Sequence, residues 1–391
     1  MVNSIFRDCG TSVFEGMSRL ATELGAINLG QGFPEALEPP ELVEAAIAAL
    51  RNGTHQYPPM MGLPALRQAV AEADRRFWGI PTDWETEVLV TSGATEALGD
   101  CFLGLLDHGD EVIVFQPAYD SYGTMIRRAG AVPVPVRLEP PAWELPRDRL
   151  AAAITPRTRA IVLNTPMNPS GKIFDREELE FLADLLERHN LIAICDEVYE
   201  HLTFDGRRHQ PLMALPQARN RCLRIGSAGK SFSVTGWKVG YVTGTPALLG
   251  PVARAHQYVT FTTPPALQAA VAEGLRLGDD YFDGLRGALQ ERRDLLARGL
   301  SGAGFDVLDC PSTYFLCVDV TGLDDGGDDH EFCRRLTREA GVTAVPVSSF
   351  YAERDMRRLI RFCFAKRAET LIEAAARLRA WRDGGAWRKA S

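Results

Sequence analysis

No window of the chain supplies the roughly 18 uninterrupted apolar residues that a membrane-spanning helix requires, so no membrane association is expected. The opening stretch MVNSIFRDCGTSVFEG is too polar for a secretory signal. Eight cysteines, Cys9, Cys101, Cys195, Cys222, Cys310, Cys317, Cys333 and Cys363, stand singly, and there is no C-x-x-C pair. That spacing argues against a disulfide framework and for reduced, buried thiols in a cytoplasmic protein. The seven histidines form no H-E-x-x-H and no clustered ligand spacing, so no metal is expected. There is no basic tail, and the net charge is −8, which argues against a nucleic-acid partner. Two nucleotide motifs are missing as well. G-x-G-x-x-G follows none of the apolar runs. Gly229-Lys230-Ser231 looks like the end of a phosphate-binding P-loop, but the position that needs the first glycine is Arg224.

What is present fits a globular enzyme: 391 residues, 46% hydrophobic and 24% charged. β-rich runs alternate with helical ones: EVLVTSG (87–93), DEVIVFQP (110–117), AVPVPVRL (131–138), RAIVLNTP (159–166), LIAICDE (191–197), CLRIGSAG (222–229) and VGYVTG (239–244). Apolar strands separated by helices predict a mostly parallel sheet covered on both faces, with AVPVPVRL at an edge because its prolines cannot donate ladder hydrogen bonds. After about residue 275 the texture changes to a long charged helix, the strand YFLCVDV, a further helix and the strand LIRFCFA. The expected fold is therefore three-layer α/β with a smaller α+β domain. The large domain is placed at 40–275, and the small one at 1–39 with 276–391. The polar run GLDDGGDDHE (322–331) reads as a surface loop.

In such sheets ligands bind at the carboxyl ends of strands, and the unusual residues fall there. TSGATEAL places glycine and small residues between a strand and a helix, which suits either a phosphate cradle or an ordinary turn. Asp196 ends an almost wholly apolar strand, and a carboxylate there needs a cation or a strong donor. Either a structural donor or a protonated pyridine nitrogen would serve. NTPMNPSGK is a tight loop whose Asn168 amide could donate to a ligand oxygen. In GSAGKSFSVTGWKVGY, small hydroxyl residues surround Lys230, and Lys238 follows. One lysine could bind phosphate while the other, partly desolvated, works as a neutral amine.

Each motif is weak alone, but their order is specific. INLGQGFPE, HQYPPMMGLPALRQA, LNTPMNPSGKIFDREELE, CDEVYEHLTFDG, IGSAGKSFSVTGWKVGY and RFCFAK, spanning 27–366, resemble segments of fold type I pyridoxal-phosphate enzymes, the class I/II aminotransferases. The resemblance is greatest to the group of kynurenine aminotransferase, glutamine–phenylpyruvate aminotransferase and cysteine-conjugate β-lyase. It implies an aminotransferase moving an amino group between an L-amino acid and a 2-oxo acid by a ping-pong cycle through aldimine and ketimine forms. The alternatives it leaves are β-elimination and an oxidative reaction on a specialised amino acid.

The same resemblance implies roles. Lys230 would hold pyridoxal 5'-phosphate as a Schiff base and shuttle the proton. Asp196 would pair with the pyridine nitrogen, Tyr199 and Asn168 would donate to the phenolate oxygen, and Tyr119 would stack on the ring. Gly93, Ala94, Ser227 and Lys238 would hold the phosphate. Tyr57 would reach the phosphate of a partner subunit, which makes the protein a homodimer with its sites at the interface. Arg361 would clamp the substrate α-carboxylate, shared with Asn168 and the Gly32 backbone, and Phe14, Phe33 and Phe261 would line the side-chain pocket. YPPMMG after Tyr57, Thr262, and Phe14 itself depart from the group's pattern, which concerns the choice of substrate rather than the cofactor.

Overall fold

The structure is a computed structural model that describes residues 3–7, 10–323 and 327–385. Cys9 and residues 324–326 of the polar run lie outside the described residues. The first strand, β1 (Ile27–Asn28), is short. The main sheet follows, with β2 (Val88–Thr91), β3 (Glu111–Gln116), β4 (Val132–Arg137), β5 (Thr158–Asn164), β6 (Ile192–Asp196), β7 (Cys222–Ser227) and β8 (Gly240–Gly244). The order is β2-β8-β7-β6-β5-β3-β4. All neighbours run parallel except β8, which is antiparallel to both β2 and β7. The proline-bearing β4 lies at the edge, as its missing N–H groups require.

The sheet is apolar on both faces because both are covered. Val112 and Val114 of β3 point into one core with Leu98, Phe102, Ile194 and Val242. Their neighbours Ile113 and Phe115 point into the other with Ile161, Leu163, Leu182 and Leu186. Helix Ala94–Leu105 packs with Pro246–Val259 on the first face, and Arg176–Arg188 covers the second. The latter starts with a capping box in which Asp175 accepts from the Glu178 N–H and Glu178 reaches back.

The 24-residue helix Asp279–Gly302 leads into the C-terminal part and packs on Ala368–Asp383. There β9 (Asp306–Val307), β10 (Phe315–Asp319), β12 (Val345–Pro346) and β13 (Leu359–Cys363) form an antiparallel sheet ordered β12-β13-β10-β9. The remaining strand, β11 (Val342–Thr343), pairs in parallel with β1. Helix Val13–Leu24 lies beside β11 and β12, so the first residues pack on the C-terminal part of the same chain.

One sequence expectation needs correction. The polar run ends in a helix, Asp329–Arg335, rather than a loop throughout. The Asp328 side chain caps it, accepting from His330 and Glu331 N–H groups. Asp329 is buried and takes hydrogen bonds from the Ser348 N–H and hydroxyl. The carboxylates are cap and core bonds, not only loop solvation. The seven described cysteines are buried and free. Among the described residues no helix is long and apolar enough to cross a membrane.

Below the strand ends, Arg224 of β7 is 1% exposed and pairs with Asp74, Glu197 and Glu200, while His209 also bonds Glu197. Removing one side of a buried ion cluster leaves the other charges uncompensated. Arg224→Ala is therefore expected to cost about 3–5 kcal/mol of stability in denaturant unfolding; a loss below about 1 kcal/mol, the range of a surface pair, contradicts this account.

Candidate active site

The register of the parallel strands gathers the site. Asn164 of β5 sits opposite Asp196 of β6, and Asp196 sits opposite Ile225 of β7, two residues before Ser227, so the Asn164, Asp196 and Ser227 side chains come to the carboxyl edge of the sheet. They border a cavity of about 480 Å³. Its lining includes Phe14, Gly32, Phe33, Gly93, Ala94, Tyr119, Asn168, Asp196, Tyr199, Ser227, Lys230, Lys238 and Arg361. Of the residues singled out from sequence, Tyr57 and Phe261 are not part of it. Tyr57 is 80% exposed and its ring meets that of Phe261 edge-on at 5.4 Å.

Lys230 lies in the one-turn helix Ala228–Ser231 directly after β7. Its amine donates to the Tyr314 hydroxyl at 2.8 Å, and that hydroxyl donates to the Gly32 carbonyl at 3.1 Å. No carboxylate pairs with it among the described residues. Burial holds its pKa down to about 8, against the weaker pull of Asp196. Asp196 is buried and accepts from the Tyr122 hydroxyl at 2.5 Å and from the Val198 N–H at 3.5 Å. Burial raises its pKa, with the Tyr122 bond opposing. It too has no cation within ion-pair distance among the described residues.

Arg361, on β13, is 1% exposed. One terminal nitrogen donates to Asn168 Oδ1 at 2.8 Å and the other to the Gly30 carbonyl at 2.7 Å, while Nε has no partner. The guanidinium lies 3.8 Å from the ring centroid of Phe315 and 5.1 Å from that of Phe14. A buried guanidinium held only by neutral groups, with a free N–H, is a carboxylate site in waiting. With its oxygen engaged by Arg361, Asn168 keeps its NH2 without a partner among the described residues.

The turn Ser92-Gly93-Ala94 opens helix Ala94–Leu105. Gly93 has φ +83°, and a Cβ there would meet Lys238 Nζ at 3.1 Å. A Cβ on Gly240 would lie 2.7 Å from the Gly93 carbonyl carbon, so two backbones touch where Lys238 arrives. Backbone N–H groups at a helix start, Ser227 and the Lys238 ammonium around one concavity form an anion cradle.

The family model described as Aminotransferase class I and II matches residues 25–378. The chain belongs to that family. It is 44% identical over 390 residues to the probable N-succinyldiaminopimelate aminotransferase DapC of Mycobacterium tuberculosis, covering 97% of this chain and 98% of that protein. It is 38% identical over 397 residues to human kynurenine--oxoglutarate transaminase 1, covering 93% and 94%. The solved structure of the Escherichia coli methionine aminotransferase superposes with a TM-score of 0.94 at 39% identity, covering 97% of this chain and 99% of that one. The chain is an aminotransferase, and its cofactor is pyridoxal phosphate. The cavity fits that cofactor: an unpaired buried carboxylate suits a protonated ring nitrogen, an anion cradle suits the phosphate, and an amine of lowered pKa suits the aldehyde.

Four participants escaped the sequence reading. Tyr122 stands one helical turn after Tyr119 in YDSY, a spacing that puts both on one side of helix Asp120–Arg128. Tyr314, Phe315 and Gln31 come from other segments, and nothing local marked them. The histidine reading also missed a juxtaposition. Glu96 and Asp100 on one helix meet His256 on another, with ligand-type atoms within 4.8 Å of one another. His256 Nδ1 lies 2.8 Å from Glu96 Oε1. Burial works against the charged imidazole, but the two carboxylates prevail and raise its pKa to about 9. Glu96 also accepts from the Ser92 N–H, so this ion pair braces the anion-binding turn.

The lowered pKa makes a reactivity prediction. The neutral fraction of Lys230 grows as pH rises through about 8 and then saturates. The rate of pyridoxal-phosphate attachment to apoprotein, trapped with borohydride, should rise up to about pH 8 and level off above it. A rate still climbing steeply near the ordinary lysine value of 10.5 contradicts this reading.

Proposed function

We propose that the protein moves an amino group from an L-amino acid to a 2-oxo acid in a ping-pong cycle, with Lys230 as the proton carrier. The observation that carries this is the pairing, in one cavity, of an amine of lowered pKa with a buried guanidinium that has no carboxylate. Bound pyridoxal phosphate supplies an electron sink for the carbanion left when the substrate's Cα proton departs. The chain's own residues arrange the rest. Asp196, fixed by Tyr122 and Val198, keeps the ring nitrogen protonated. Tyr199 and the NH2 of Asn168 would donate to the phenolate oxygen, and Tyr119 would pack against the ring. Gly93, Ala94, Ser227 and Lys238 hold the phosphate.

Arg361 and Asn168 take the α-carboxylate, which fixes how the Cα–H bond is presented to Lys230. With the cofactor bound, the Lys230 amine would be the group that takes the Cα proton and gives it back on the far side of the amino nitrogen, a 1,3 shift. Tyr314 holds the amine at 2.8 Å and, through its second hydrogen bond, ties its position to Gly32. An Arg-anchored carboxylate favours proton movement over loss of carbon dioxide, because the group is held rather than released. β-Elimination needs the same proton step and a leaving group on Cβ, so it is the second reading for donors that carry one.

The division into a large domain at 40–275 and a small domain at 1–39 with 276–391 is part of this proposal. It is supported by the separation of the seven-stranded and four-stranded sheets and by β1 pairing with β11. So is a homodimer, supported by the exposed aromatic pair Tyr57 and Phe261, which does not line the Lys230 cavity. Tyr57 would complete the phosphate site of the partner. A cytoplasmic setting is supported by the seven free, buried cysteines.

Purified holoprotein should lose its cofactor–lysine absorbance on adding a good amino donor and regain it with a 2-oxo acid; no such band after reconstitution contradicts the reading. Lys230→Ala should lower kcat by about 10²–10⁴ or more, the range of acid–base catalysis. Arg361→Lys keeps the charge but loses the fork, and should lower kcat/KM by roughly 10–100-fold. Mixing Tyr57→Ala with Lys230→Ala subunits should restore roughly a quarter of wild-type activity through mixed dimers that keep one intact site; no recovery argues that Tyr57 does not serve the partner.

A further inference from the structure

The cavity at Lys230 continues outward. Ser12, Thr95, Tyr119 and Asp120 border both it and a second cavity of about 1100 Å³. The neck between them is aromatic. The Phe14 ring lies 6.4 Å from that of Tyr119 and 5.7 Å from that of Phe350. The Arg361 guanidinium sits 5.1 Å and 5.3 Å from the Phe14 and Phe350 rings, so the outer cavity begins one ring away from the α-carboxylate site. Ser349, next to Phe350, hydrogen-bonds His330 Nε2 at 3.1 Å, at the start of the outer wall.

That wall is basic in a chain whose net charge is −8. Arg19, Arg127, Arg334, Arg338 and Arg354 face it, against the carboxylates of Glu23 and Asp120. Arg19 is within 4.0 Å of Glu23, and Arg334 and Arg338 share Glu331 at 2.8 Å and 3.5 Å. Arg127 and Arg354 have no carboxylate within ion-pair distance among the described residues. Arg354 is in a left-handed turn with φ +50°, and with Arg334 and Arg357 it also borders a smaller recess at His330 and Ser348, whose carboxylates are Asp328, the cap of its helix, and Asp329, which Ser348 engages. Two guanidinium groups without counter-charge, Arg127 and Arg354, with the Glu331-paired Arg334 beside them, stand behind an apolar neck that leads from the reacting centre and are arranged for the far end of a substrate.

We infer that this outer cavity is a distal anion subsite, and that the amino donor is a long-chain α-amino acid whose side chain ends in a carboxylate held by Arg354 with Arg334 and Arg127. The inference rests on the aminotransferase reading and names its substrate class. The chain must pass the aromatic neck before it meets a cation. At about 1.2 Å per extended bond, that takes about five or more side-chain carbons, so aspartate and glutamate are too short to benefit.

The test compares two donors of equal length on the holoenzyme with one 2-oxo acid: L-2-aminosuberate, which ends in a carboxylate, and L-2-aminooctanoate, which ends in a methyl group. The wild-type kcat/KM ratio of acid to methyl donor should be at least about 10, the worth of one charged hydrogen bond. Arg334→Gln with Arg354→Gln should bring the ratio to about 1, and raising the salt should lower it in the wild type. A wild-type ratio of about 1 or less overturns the subsite on its own, without any variant. A high ratio that survives both substitutions also overturns it, because the anion is then recognised elsewhere. If methionine is transaminated but neither long donor is, the subsite fails and the aminotransferase reading stands. If no amino donor reacts, the aminotransferase reading fails and the subsite with it.

Discussion

Asp196, Lys230 and Arg361 line one cavity, and none of them has an oppositely charged partner within the described chain. Isolated charges away from water are costly, and folding normally pairs or neutralises them. Here each is instead held by neutral groups: Tyr122 for the carboxylate, Tyr314 for the amine, Asn168 and the Gly30 carbonyl for the guanidinium. The contrast with Arg224 is instructive. It is just as buried and only a few residues from Lys230, yet it is surrounded by three carboxylates. One cluster is electrostatically closed and belongs to the fold. The other is open, and on the proposed reading cofactor and substrate would close it.

The sheet makes this possible by topology rather than by any single side chain. Parallel strands end together, so Asn164, Asp196 and Ser227 arrive at one edge from segments far apart in sequence. The antiparallel β8 brings Gly240 against Gly93, which delivers Lys238 to the same turn that begins the helix after β2. The C-terminal sheet then supplies Arg361 and Tyr314 across the cavity. The N-terminal helix adds Phe14 over the guanidinium, so Arg361 is enclosed by three parts of the chain.

Much of this was legible in the sequence because it is local. Strand runs closed by Gly, Pro or Asp predicted the sheet, Asp196 and Lys230 stood out just after strand ends, and Arg361 came from the resemblance to the aminotransferases. The edge position of β4 followed from its prolines. What was not legible depends on packing between distant segments. Tyr314 and Phe315 reach the site only because β10 pairs with β13, a register that no local pattern announces. Glu96, Asp100 and His256 show helical spacing only for the two acids, and the histidine comes from another helix. The acidic run at 322–331 was misread as loop alone because composition does not reveal that Asp328 caps a helix and Asp329 bonds Ser348.

The central claim is that the charge of the active-site cavity is completed from outside the chain. The most direct measurement is the unfolding free energy of wild type and Asp196→Asn, each without and with saturating pyridoxal phosphate. On this account the apo variant is at least as stable as apo wild type, because an uncompensated buried carboxylate has been neutralised. The variant then gains less stability than wild type at the same cofactor concentration, since the stability added by binding grows with the logarithm of affinity. If instead apo Asp196→Asn loses several kcal/mol, as a broken internal ion cluster does, the charge is compensated within the fold and the account is wrong.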